Sequence, residues 1–78
     1  MIEARLKQIV LETLKIEDGQ YSEELAAGDV PQWDSLSHLR LLMAVEREFG
    51  STLDVGDSVE IESVADIIDA VRRYREAA

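Results

Sequence analysis

The strongest constraint on how this chain folds lies between Pro31 and Gly50. Pro31 resists helix and pushes Val30 toward an extended backbone, so a helix is expected to begin after it. Asp34 is then a good N-cap, because its carboxylate can accept a hydrogen bond from an otherwise unpaired N–H of the first turn. From Leu36 to Phe49 apolar residues recur at helical spacing, and Gly50 supplies a stop. The pattern predicts a helix from Ser35 to about Phe49 carrying more apolar residues than one stripe needs. Leu41, Leu42, Val45 and Phe49 form one face, with His38 at its edge. Leu36, Leu39, Met43 and Arg47 lie toward another, with Arg40 beside them. A small bundle cannot bury a helix on all sides. One set is therefore expected in the core and the other at least partly exposed beside the Ser35 hydroxyl, where an apolar patch suggests docking. The competing expectation is that the preceding loop covers Leu36, Leu39 and Met43.

The flanking segments follow the same period. Ile2, Leu6, Ile9, Val10, Thr13 and Leu14 predict a first helix from Ile2 to about Ile16, ended near Gly19 by a left-handed turn. Gln20 to Gln32 is a long connection, of a kind usually functional or packed by its own side chains. Ser22–Leu25 is a candidate helical turn within it, and Tyr21, Leu25, Val30 and Trp33 are candidates to pin it to the helices. After Gly50, Leu53 and Val55 are expected to turn inward, and Asp57–Ile61 is a candidate short third helix. Ser63-Val64-Ala65-Asp66 resembles a capping box, with Asp in place of Glu or Gln. Val64, Ile67, Ile68, Val71 and Tyr74 then carry a helical stripe to about Arg75. Arg72, Arg73 and Arg75 suit the negative end of that helix's dipole. No stretch alternates as a strand would. The expectation is an all-α small four-helix bundle: three principal helices and a short third one, in a single domain spanning residues 1–78.

Composition narrows the function. The chain has 78 residues and no cysteine, so there is no disulfide framework, thiolate metal site or cysteine nucleophile. That absence fits a cytoplasmic protein. No apolar run approaches the roughly 20 residues of a membrane span, and the first residues lack a secretory pattern. A net charge of −9 repels nucleic acid and anionic lipid and steers the chain toward basic protein surfaces. The carboxylates lack calcium-loop spacing, and no paired histidines or Gly-rich phosphate cradle occur, so no metal site is expected. Ser35, His38 and Asp34 make a nucleophilic triad imaginable, but consecutive positions on one helical turn do not converge on a common reacting atom. A packed or partly exposed His38 is the plainer reading. A phosphodiester on Ser35 would instead place its charge at the positive end of a helix, although Asp34 opposes it locally.

Asp34-Ser35-Leu36, followed by an apolar helix ending Met43-Ala44-Val45-Glu46-Arg47-Glu48-Phe49-Gly50, resembles the acyl carrier protein family. The likeness extends over the opening helix, the long first loop, the acidic short third helix and the last helix from Ser63. It implies that a phosphopantetheinyl transferase links 4′-phosphopantetheine from coenzyme A to Ser35. The arm's thiol would then hold an acyl or aminoacyl group as a thioester. The resemblance also implies a protein with no catalysis of its own, a monomer visiting a loading ligase and a downstream synthase or transferase. Asp34 would help position Ser35, and Leu36, Leu39 and Met43 would contact partners. Leu53 and Ile61 are acyl-pocket candidates, with plain core as the alternative. Fatty-acid-type members commonly carry acidic residues where this chain has Arg40 and Arg47, which are expected to select a dedicated partner. The Trp33–Leu39 wording is more similar to stand-alone carriers of polyketide-type or aminoacyl pathways. An unmodified helical docking domain is the competing class, and a small Ser35–His38 hydrolase a weaker one.

Overall fold

The computed structural model of the chain describes residues 2–50 and 60–77. Within them three α-helices run in order: α1 (Ile2–Leu14), α2 (Ser35–Phe49) and α3 (Val64–Ala77). No strand occurs among the described residues, only an isolated bridge between Ala26 and Ser63. The all-α expectation holds. Of the expected short helix over 57–61, residues 57–59 and the inward turn of Leu53 and Val55 lie outside the described residues; Glu60 is helical and Ile61 is not.

Each helix buries the stripe its period dictates. Leu6, Val10 and Leu14 of α1 meet Leu41, Leu42 and Val45 of α2 and Val64, Ile67, Ile68 and Val71 of α3 in one core. Ile2, Ile9, Leu11 and Phe49 pack against it from the edge. Tyr74, expected on the buried stripe, is exposed, because the core closes at Val71 one turn earlier. Surface ion pairs Arg5–Glu48 (3.0 Å) and Arg72–Glu3 tie α1 to α2 and α3.

Helix α1 ends earlier than its apolar pattern suggested. Lys15 adopts the left-handed conformation (φ 57°), and the Ile16 N–H donates back to the Leu11 carbonyl at 3.3 Å. This is the six-to-one bond of a Schellman turn. The reversal swings Ile16 into the core, where it is buried. Burial of Ile16 therefore displaces the turn from Gly19, which lies instead in a 3₁₀ turn, Asp18–Gln20.

The long connection is packed by its own residues, as expected. Leu25, Val30 and Trp33 are buried and Tyr21 packs against the core. Ser22–Leu25 closes as a single turn through the Leu25 N–H and the Ser22 carbonyl (3.1 Å). Val30–Trp33 is a second turn, with Pro31 at the position where its fixed φ belongs and the Trp33 N–H on the Val30 carbonyl at 3.2 Å. Between them the backbone zips onto the approach to α3. The Ala27 N–H donates to the Glu62 carbonyl (2.8 Å), the Val64 N–H to that of Leu25 (2.9 Å) and the Ala65 N–H to that of Glu23 (3.0 Å).

The two left-handed helix ends differ in residue type, which sets up opposite mutational effects. Gly50 closes α2 at φ 68°, and a Cβ there would meet nothing within 4 Å, so Gly50→Ala loses only backbone energy, about 1 kcal/mol. Lys15→Gly relieves the same backbone cost and is expected to stabilise by about 0.5 kcal/mol after the added chain entropy of glycine. Urea unfolding midpoints of the two variants moving in opposite directions is the expected result.

Candidate functional site

Ser35 stands where the loop becomes α2, and its side chain is exposed. The local sequence forces that position. Asp34 is extended (φ −98°, ψ −175°), and its Oδ1 accepts the Ser37 N–H at 2.8 Å. Its carbonyl takes the first helical bond, from the His38 N–H at 2.8 Å. With Asp34 spent on the cap, Ser35 becomes the first helical residue and points away from the core. The Asp34 carboxyl is held below its ordinary 3.8, chiefly because the Ser37 N–H bonds its ionised form. The Ser37 hydroxyl and, more weakly, the Arg40 charge act in the same direction.

Beside Ser35 lies an open, largely apolar groove of about 580 Å³, lined by Ala27, Trp33, Asp34, Ser35, His38, Ile61 and Glu62. Its far wall exists because the connection is bonded to the approach to α3: the Ala27–Glu62 bond sets those two residues side by side. Ile61, an acyl-pocket candidate by sequence, lines the groove and is almost wholly buried. Leu53, its companion, lies outside the described residues.

Trp33 and His38 form the groove's aromatic side. The indole Nε1–H donates to His38 Nδ1 at 2.9 Å, and the rings stack with centroids 6.0 Å apart and planes 24° apart. Trp33 is 3% exposed, so this bond satisfies a donor that water scarcely reaches. It also fixes the imidazole chemistry. The lone pair on Nδ1 is taken, and in the neutral ring the other nitrogen carries the hydrogen, leaving no lone pair to draw a proton from Ser35. Asp34, occupied by Ser37, does not complete a relay. No local pattern signals the Trp33–His38 pair beyond their five-residue separation, nor Ala27 and Glu62 as groove residues.

The second face of α2 is open to solvent, and the loop does not cover it. Leu36, Leu39 and Met43 are 56%, 56% and 52% exposed, with Arg40 and Arg47 exposed among them. No group of His, Asp or Glu that could hold a metal ion occurs among the described residues. Nor is any helix among them long and apolar enough to cross a membrane.

The backbone course is that of acyl carrier proteins. The solution NMR structure of a holo acyl carrier protein from Geobacter metallireducens is similar to this chain with a TM-score of 0.83. The match covers 95% of this chain and 85% of that one at 24% sequence identity. No family model matches the chain.

The Trp33–His38 bond and the Asp34 cap each generate an expected outcome. His38→Phe retains an aromatic ring for stacking but orphans the indole N–H, and is expected to cost about 1–2 kcal/mol in denaturant unfolding followed by Trp33 fluorescence. The depressed Asp34 carboxyl stabilises the fold fully above its ordinary value, and that contribution is lost as pH falls through the lowered one. Asp34→Asn keeps an acceptor oxygen but cannot titrate. Its melting temperature should therefore fall less steeply on acidification from neutral pH to about pH 3; identical slopes would remove Asp34 from the acid response.

Proposed function

We propose that the chain is a carrier protein: it holds an acyl or aminoacyl group on a 4′-phosphopantetheine arm attached to Ser35 and presents it to partner enzymes. The observation that carries this reading is an exposed serine hydroxyl at the start of α2, beside an apolar groove, on the acyl-carrier-protein fold.

The residues present fit such an arm. Ser35 Oγ is open to a phosphopantetheinyl transferase, and the phosphodiester formed there sits at the positive end of α2. Asp34 meets that charge with its own, but its carboxylate is already turned to the Ser37 N–H, which holds it to the cap. Bound to Ser35, the arm supplies the thiol through which cargo is carried. Trp33, His38, Ala27 and Ile61 give the arm or the start of a cargo chain an apolar wall from which water is partly excluded. Because the groove is open, cargo leaves without unfolding of the core, as a protein shuttling between a loading ligase and a downstream synthase or transferase requires.

The chain itself does no bond chemistry in this reading. His38 has surrendered its Nδ1 lone pair to Trp33, so the arrangement does not activate Ser35 as a hydrolase nucleophile. Partners supply the catalysis, and Leu36, Leu39 and Met43 offer them an apolar landing face on the same helix as the modified serine.

Intact-mass measurement after co-expression with a broad-specificity phosphopantetheinyl transferase tests the proposal. The expected result is a gain of one phosphopantetheine unit in the native chain and none in Ser35→Ala. An unmodified native chain would leave a helical domain that acts by docking alone.

A further inference from the structure

The exposed face of α2 has a charge opposite to that of the chain as a whole. At about 100° per residue, Leu36, Leu39, Arg40, Met43 and Arg47 fall within an arc roughly 100° wide, opposite the buried Leu41, Leu42 and Val45. The helix's two carboxylates, Glu46 and Glu48, fall outside that arc, and Glu48 is paired with Arg5 at 3.0 Å. Three other basic residues are likewise engaged: Arg5 with Glu48, Lys7 with Asp18 and Arg72 with Glu3. Arg40 and Arg47 take part in no ion pair among the described residues, two turns apart along the apolar stripe. The result is a cationic, apolar strip on a chain of net charge −9.

We propose that this strip docks an acidic protein surface: an apolar patch flanked by carboxylates spaced to meet Arg40 and Arg47. The inference deepens the carrier reading by naming the chemistry of the partner enzyme's contact. Planar guanidiniums favour bidentate pairing with carboxylates, and pairing at an interface displaces the water that now screens them. The overall negative charge works against an acidic partner at long range. That repulsion is screened beyond about 8 Å at physiological salt, whereas pairs in contact are screened much less. An anionic membrane is a poorer occupant, since surface recruitment takes a cluster of about 4–8 basic residues and here two stand against the field of the whole chain. A second copy of the chain offers carboxylates in plenty, but its own apolar strip carries arginines, and like charges would face each other across a symmetric contact.

The test is a titration of the isotope-labelled full chain, followed by NMR, with two amphipathic helical peptides that share a Leu face. One carries Glu and the other Lys at its polar positions. The Glu peptide is expected to shift the amides of Leu36, Leu39, Arg40, Met43 and Arg47 and to weaken with added salt. In Arg40→Glu/Arg47→Glu its affinity should fall about three- to tenfold and the Lys peptide should become preferred. Arg40→Gln/Arg47→Gln provides the same loss without reversal, should the double charge change disturb folding. The inference is overturned if the Lys peptide occupies this strip of the native chain as well as the Glu peptide does, or if the Glu peptide leaves it unshifted. It is equally overturned if dilution alone moves these amides, marking a second copy, or if vesicles of anionic lipid do. The titration needs no prosthetic arm, so its failure and failure of the Ser35 mass gain appear in separate measurements.

Discussion

Three backbone hydrogen bonds between the long connection and the start of α3 hold the candidate site together. Without them the segment from Glu23 to Ala27 would have to satisfy its polar backbone in water, and Leu25 and Val30 would have less reason to stay inside. With them, the loop becomes a fixed wall. It delivers Trp33 to the core and Asp34 to the cap in register, and it places Ala27 against Glu62 across from Ser35. The bonds run between main-chain atoms and so tolerate many side chains along the loop. That is how a stretch without regular secondary structure can still define a groove.

This arrangement explains which parts of the fold were legible in the sequence. Helix α2 was readable from end to end, because its start and stop are chemical: a carboxylate cap at Asp34, a glycine at Gly50 that adopts φ 68°. The buried and exposed faces of α2 separated correctly because helical period and core size decide them together. The end of α1 was not legible. Gly19 is the better left-handed residue by intrinsic preference, but Ile16 cannot be buried unless the chain reverses at Lys15, and burial of a large aliphatic side chain outweighs the cost of one strained residue. Tyr74 fits the period of α3 but lies beyond the reach of the core. The pairing of the loop with residues 62–65 joins segments far apart in sequence, and no local pattern encodes such a contact.

At the candidate site the limits were of a different kind. Ser35 and Asp34 stood out because a helix start is a local event. Whether His38 serves as a base depends on where its lone pairs go, and that depends on Trp33, whose indole is brought alongside by the turn at Val30–Trp33. The same three residue types, Ser, His and Asp, thus read as a possible catalytic set on paper and as an exposed helix-start hydroxyl beside an aromatic wall in space. The distinction rests on one hydrogen bond of 2.9 Å and on a cap of 2.8 Å, each removing from its donor or acceptor the freedom that catalysis would need.

The distribution of charge bears on the choice of partner. A surface of net charge −9 opposes self-association through like-charge repulsion, but a uniform field cannot select among partners. Selection needs a local exception, and an exception is effective where it adjoins the group being delivered. In the carrier reading proposed above, α2 holds both Ser35 and the apolar strip with its two arginines, so a partner that gripped the strip would have the start of the helix, and an arm on Ser35, within reach of its own active site. With the proposed tether and recognition surface on one rigid helix, their separation would be a fixed length, set by the rise per residue rather than by loop conformation. A partner whose carboxylates matched Arg40 and Arg47 would thereby fix the direction from which the proposed cargo arrives, which docking through the loop alone could not do.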